Sequence, residues 1–103
     1  MFKLIVLLKK KDDITEEEFT KHWLNIHVPL AKTLPGVRRY VANIVKKPPN
    51  REPDFHGVVE LWFDDVESMK KAFASPMGQI TQQDSHKFTS SVSTLFVEER
   101  ELI

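Results

Sequence analysis

The run from Phe2 to Lys9 is almost continuously apolar, interrupted by Lys3, and rich in β-branched and aliphatic side chains. A run of this kind predicts a strand covered on both faces. Asp12 and Asp13 end it, and the period then changes. Phe19, Trp23, Ile26, Leu30 and Leu34 recur at steps of four, three, four and four, which is helical spacing. Thr15 and Glu18 stand in capping-box positions, and Ile14 and Phe19 in those of a hydrophobic staple. Glu16, Glu17 and Glu18 sit in the first turn, where the helix dipole favours negative charge. Pro29 interrupts the pattern: it removes the amide that would bond the Asn25 carbonyl and disfavours α geometry at Val28. The expectation is a kink or break near Val28 and a looser last turn, ended by Pro35-Gly36.

Val37 to Val45 predicts a second strand, with Tyr40, Ala42 and Ile44 on one face and Arg39, Val41, Asn43 and Val45 on the other. Lys46 to Asp54 holds three prolines and reads as an exposed loop. Phe55 to Phe63 predicts a third strand, with Val59, Leu61 and Phe63 opposite Val58, Glu60 and Trp62. Asp64 or Asp65 caps a second helix whose buried stripe is Val66, Met69 and Phe73, stopped by Ser75-Pro76. Met77 to Ser90 is polar with few apolar anchors and reads as a loop or short helix over the sheet. Val92 to Glu98 alternates as a last strand, and Glu99 to Ile103 is a short tail. The order β-α-β-β-α-β predicts the α+β, ferredoxin-like split βαβ arrangement: one four-stranded antiparallel sheet with both helices on one face. The other face keeps apolar residues and needs a cover. A second copy of the chain, stacked sheet to sheet, would supply it.

Composition narrows the possible partners. At 103 residues the chain is the size of one domain, residues 1–103. Fifteen basic and fifteen acidic residues cancel. That argues against a nucleic-acid or anionic-membrane surface, each of which needs a basic excess. The absence of cysteine excludes disulfides, thiolate metal sites and cysteine nucleophiles, and suits a reducing cytoplasm. The opening apolar run is too short to span a bilayer, and its lysines follow it rather than precede it. With three glycines in the chain, a phosphate-cradling loop could hardly form.

Four histidines are the candidates for chemistry: His22, His27, His56 and His86. On a regular helix His22 and His27 lie about 140° apart at about 100° per residue. They could not share a metal there, no ligand set has metal spacing, and no metal is expected. His27 lies near Trp23 on the inward face, beside the backbone that Pro29 disturbs. It reads either as an acid/base or as a buried neutral ring bonding a carbonyl freed by the proline. His22 lies off the stripe and reads as a solvated surface residue; surface positions are also expected for His56 and His86. Tyr40, the only tyrosine, is a core or pocket residue whose hydroxyl needs a partner if buried. Trp23 and Trp62 read as core or as pocket walls, and Asp84 as a cap or surface acid.

Two stretches carry a family resemblance. The run from Phe19 through Trp23, His27 and Pro29-Leu30, then Leu34-Pro-Gly-Val-Arg-Arg-Tyr40, resembles the EthD family, named for a locus of ethyl tert-butyl ether degradation. Glu60-Leu-Trp-Phe-Asp-Asp-Val-Glu, Ala74-Ser-Pro76, and Asp84 with Phe88 are similar to that family's second half. The resemblance spans nearly the whole chain. It implies a dimeric α+β barrel built from two ferredoxin-like protomers, with pockets between sheet and helices, the motif histidine at His27 and the strand tyrosine at Tyr40. It further implies a small hydrophobic guest, aromatic or lactone-like, and no cofactor. The activity expected is that of a cofactor-free isomerase, cyclase or monooxygenase-like enzyme. His27 would move a proton, Tyr40 would hydrogen-bond an enolate, and Trp23, Trp62 and Asp84 would bind the substrate. Two alternatives stand beside it: a non-catalytic carrier of hydrophobic metabolites, and haem binding through His27 with Arg38 and Arg39 at the propionates.

Overall fold

A computed structural model describes residues 1–103. The first strand, β1 (Phe2–Lys10), lies inside a four-stranded sheet with β2 (Arg39–Ile44), β3 (Gly57–Phe63) and β4 (Thr89–Val97) in the order β2-β3-β1-β4. All neighbours are antiparallel, with Leu4 opposite Leu61 and Phe96, and Val59 opposite Val6 and Ala42. This is the ferredoxin-like α+β fold. The expected loop from Lys46 to Asp54 is irregular, and no helix is long and apolar enough to cross a membrane.

Strand alternation gives the sheet two different faces. Leu4, Leu8, Val59, Leu61 and Phe63 face the helices and are buried with Phe19, Trp23 and Phe88. Gly57 lets the Trp23 ring lie on the sheet, since a Cβ there would fall 2.7 Å from Trp23 Cζ3. The opposite face carries Ile5, Leu7, Val41, Val58 and Leu95 beside a polar group around Lys3. The Lys3 ammonium meets Glu99 at 3.0 Å and Glu60 at 3.5 Å. It also lies over the Trp62 ring, as does the Arg39 guanidinium.

The first helix, α1 (Glu16–His22), begins as its sequence dictates: the Glu18 amide donates to Thr15 Oγ1 and the Thr15 amide to Glu18 Oε1. The expected break at Pro29 does not occur. A π-helical turn, Trp23–His27, joins α1 to α2 (Val28–Ala31), and Val28 keeps right-handed helical geometry at φ −59°, ψ −44°. The Val28 amide donates to the Trp23 carbonyl, five residues back. Widening the turn by one residue accommodates a proline, which has no amide to give the ladder, without interrupting the helix.

The polar stretch after Ser75 is also more regular than its composition suggests. α3 (Val66–Ala74) starts on the Asp65 carboxylate, which accepts from the Ser68 amide. It is followed at once by α4 (Pro76–Ser85), a helix of ten residues. Ser75 serves both: its hydroxyl donates to the Ala72 carbonyl at 2.6 Å and accepts from the Gly78 amide at 3.1 Å. Pro76 stands at the first helical position, where its missing amide costs nothing. The buried side of α4 is Gly78, Thr81 and Asp84, small or polar residues at helical spacing that a search for apolar anchors passes over.

Candidate active site

The π-helical turn decides which side chains meet. With backbone bonds running from i to i+5, residues five apart stack on one side of the helix. His22 and His27, which regular helical geometry would set apart, therefore both reach Asp84. His27 Nδ1 lies 2.9 Å from Asp84 Oδ2, and His22 Nε2 lies 3.0 and 3.1 Å from the two carboxylate oxygens. The expectation of a solvated surface role for His22 is overturned, because it assumed an unbroken 3.6-residue period: the ring is bonded to Asp84 and only partly open to solvent.

Asp84 sits on the buried side of α4 with 3 % of its surface exposed. Lys87 Nζ, 3.9 Å away, is its one neighbouring ammonium. Phe88 packs behind both imidazoles, stacked on His22 with ring centroids 4.7 Å apart and tilted against His27 at 5.0 Å. An ionised carboxylate only accepts hydrogen bonds, so the neutral His27 ring carries its proton on Nδ1. That leaves Nε2 as a lone pair without a protein partner. No buried side-chain nitrogen or oxygen is left unpaired, so Nε2 reaches accessible space. Burial pushes the His27 pKa below the usual histidine value, and the opposing pull of Asp84 does not cancel it. The shift favours the uncharged ring. The alternative of a ring bonded to a backbone carbonyl is not what the structure shows.

Tyr40 is held on the neighbouring strand. The indole N–H of the fully buried Trp23 donates to the Tyr40 oxygen at 3.0 Å. This bond occupies the oxygen as acceptor and leaves the hydroxyl proton to donate elsewhere. Burial pushes the Tyr40 pKa up, so the group remains an O–H donor.

His27 and Tyr40 both line a cavity of about 400 Å³ between sheet and helices. Its walls are Leu4, Val6, Leu8, Val59, Leu61 and Phe96 on the strands and Ala31, Leu34, Met69 and Phe73 on the helical side. Thr81, Gln82 and Ser85 of α4 add a polar margin, with Thr94 of β4. Neither lysine nor arginine lines it, so a carboxylate guest would find no counter-charge, and neither would haem propionates. Arg38 is bound to Asp64 and Arg39 lies over Trp62, so the two arginines that could have served propionates are engaged elsewhere.

Three expected roles change. Trp62 does not wall the cavity, because it alternates with Leu61 and Phe63 and faces the other side of the sheet. Trp23 lies behind the wall and holds Tyr40. Asp84 reaches no guest itself; it orients the two imidazoles. The position the sequence reading missed is His22. Its signal was Pro29 inside unbroken helical spacing, since a proline tolerated mid-helix implies a widened turn.

Glu16, Glu52 and His56 also bring possible ligand atoms within 4.8 Å of one another. His56 Nδ1, however, accepts the Lys10 amide at 3.0 Å, so the neutral ring carries its proton on Nε2 and presents a donor there. The ring's bonding does not suit metal ligation.

Comparison with known proteins agrees with the fold. The sequence profile of the EthD domain matches residues 11–91. An uncharacterized 11.0 kDa protein of the thcB-thcC intergenic region of Rhodococcus erythropolis is 31% identical over 86 residues, covering 82% of this chain and 84% of that one. The crystal structure of an EthD family protein from Bacillus halodurans C-125 superposes with a TM-score of 0.82 at 29% identity, over 97% of this chain and 100% of that one. Two more distant structures share the fold. A dimeric, ferredoxin-like protein of unknown function from Bacteroides fragilis has a TM-score of 0.72 at 16% identity, covering 95% of each chain. SnoaB of Streptomyces nogalater, a cofactor-independent oxygenase, has a TM-score of 0.70 at 13% identity, covering 99% of this chain and 95% of that one.

Proposed function

The chain belongs to the EthD domain family, and on that premise we propose that it is a cofactor-free acid/base enzyme for a small, uncharged, largely apolar molecule of aromatic or lactone type. The observation that carries this reading is the His27 imidazole, which lines an apolar cavity and is bonded through Nδ1 to a buried carboxylate, leaving Nε2 without a protein partner. His27 Nε2 takes a proton from an acidic O–H or C–H of the guest, and Asp84 stabilises the imidazolium that results. The Tyr40 hydroxyl donates to the oxygen on which negative charge develops. Acid/base assistance of this type contributes roughly 10²–10⁴-fold. In an isomerisation the same imidazolium returns the proton elsewhere on the guest. A cofactor-independent oxygenase on the same fold supports a chemistry run by side chains alone.

A carrier needs no free ring nitrogen at its cavity, which is why the enzyme is preferred. We also propose a homodimer in the cytoplasm. The face bearing Ile5, Leu7, Val41, Val58 and Leu95 lacks a cover in one chain, and a dimeric protein shares the fold.

The test is a panel of uncharged phenols, ketones and lactones, scored for binding by heteronuclear NMR and for turnover by chromatography, on the wild type and His27→Ala. Turnover lost in the variant with binding retained is the expected result. Binding with no turnover in either protein would make it a carrier, and turnover unchanged in the variant would remove His27 from the mechanism.

A further inference from the structure

His22 has no place in the chemistry proposed above, yet it is built into the site. Its Nε2 reaches both oxygens of Asp84, while His27 Nδ1 reaches Oδ2 of the same carboxylate. Both rings rest on Phe88, which is itself 1 % exposed. The two imidazoles differ in their surroundings. The His27 ring is the more enclosed and faces the cavity, whereas 21 % of the His22 side chain is open to solvent. Other titratable or charged groups are few: Lys87 approaches Asp84 at 3.9 Å, and Tyr40 lines the cavity with His27.

A carboxylate gripped from one side by a two-point contact cannot rotate freely about its last bond. The oxygen offered to His27 is thereby fixed, and with it the direction of the His27 ring. Two rings on one carboxylate also cannot titrate independently. A proton added to either weakens the hold of Asp84 on a proton at the other. Charging the more enclosed His27 ring carries the larger desolvation cost.

We infer that His22 is a positioning residue for His27: it clamps Asp84 and takes the first proton bound by the pair, so that the ring facing the cavity stays an uncharged base. The inference deepens the acid/base reading and rests on it for its functional meaning. The coupling between the rings is testable without any substrate. The electrostatic effect of His22 on His27 is in the required sense, lowering its pKa.

The experiment follows the imidazole nitrogens of the ¹⁵N-labelled full chain by long-range ¹H–¹⁵N correlation across pH, in the wild type, His22→Gln and Lys87→Gln. In the wild type, His22 is expected to protonate first while His27 keeps its Nε2 lone pair and its Nδ1 proton. In His22→Gln the His27 midpoint should rise, since a neighbouring like charge no longer opposes the proton there. Lys87→Gln should move it less. A His27 midpoint unchanged in His22→Gln would overturn the inference. So would a wild type in which His27 protonates before His22, a result that needs no variant to fold.

A phenol titration separates the two readings. If phenol leaves the His27 Nε2 resonance unmoved at saturation, the cavity base is lost while the coupling survives. If phenol binds through Nε2, the acid limb of its binding profile should move upward in His22→Gln together with the His27 midpoint.

Discussion

Each face of the sheet lies against one nearly buried charge, and the two are answered differently. On the helical side Asp84 is held by two imidazoles and approached by one ammonium, with a cavity beyond His27. On the other side Lys3 meets Glu60 and Glu99, carboxylates that are themselves half-buried and exposed, with Trp62 beneath. The partners of Lys3 can turn to water if it is removed. Two of the partners of Asp84 are imidazoles rather than permanently charged groups, and they are more enclosed than Glu99, with less room to turn away. A buried charge becomes chemically useful when its partners titrate and one of them faces a hollow; otherwise it is a structural tie.

Several changes would break or sharpen that contrast. The largest effect is expected from Asp84→Ala, which leaves two imidazoles without their acceptor. A loss of about 3 kcal/mol is expected from breaking a buried pair, read from urea unfolding. Gly57→Ala tests the helical face from its opposite end. The new Cβ would overlap the Trp23 ring, at a cost of about 1–3 kcal/mol typical of overpacking. It should also disturb the indole N–H bond to Tyr40, visible as a shift of the Trp23 indole resonance.

pH separates the faces next. His27 has a lower pKa folded than unfolded, so the unfolded chain binds more protons between the two values. Its contribution is complete above the unfolded value and is lost as pH falls below about 6.5 toward the folded one. Stability should therefore decline on that acid side. His27→Gln should flatten the decline, leaving the share of His56, whose pKa burial also lowers. Lys3→Met is expected to leave this window alone and to change stability by less than about 1 kcal/mol, because its carboxylates can rehydrate. A loss as large as that of Asp84→Ala would erase the distinction between the faces.

Much of this was legible in the chain. Thr15 and Glu18 announced the first helix, alternation grouped Tyr40 with Ala42 and Leu61 with Val59, and His27 stood out through its inward position next to Pro29. Those signals are local, set by capping chemistry and side-chain period. Two features were not legible and a third was legible but outweighed, each for its own reason. Met77 to Ser90 hid α4 because its buried side is Gly78, Thr81 and Asp84 rather than an apolar stripe. Trp62 drew attention by its size, although the alternation already placed it opposite Leu61. His22 falls off the buried stripe at a fixed 3.6-residue period, and only the widened turn brings it to Asp84.

By itself the sequence determined the order and kind of the main elements, the two-faced sheet and the inward histidine, because capping, proline geometry and strand alternation act over a few residues. Only the tertiary structure decided that His22, His27 and Asp84 form one cluster and that Trp23 holds Tyr40. Those contacts join residues 57 to 62 and 17 positions apart. They depend on where a widened helical turn and α4 come to rest against the sheet, a distance that no local preference encodes.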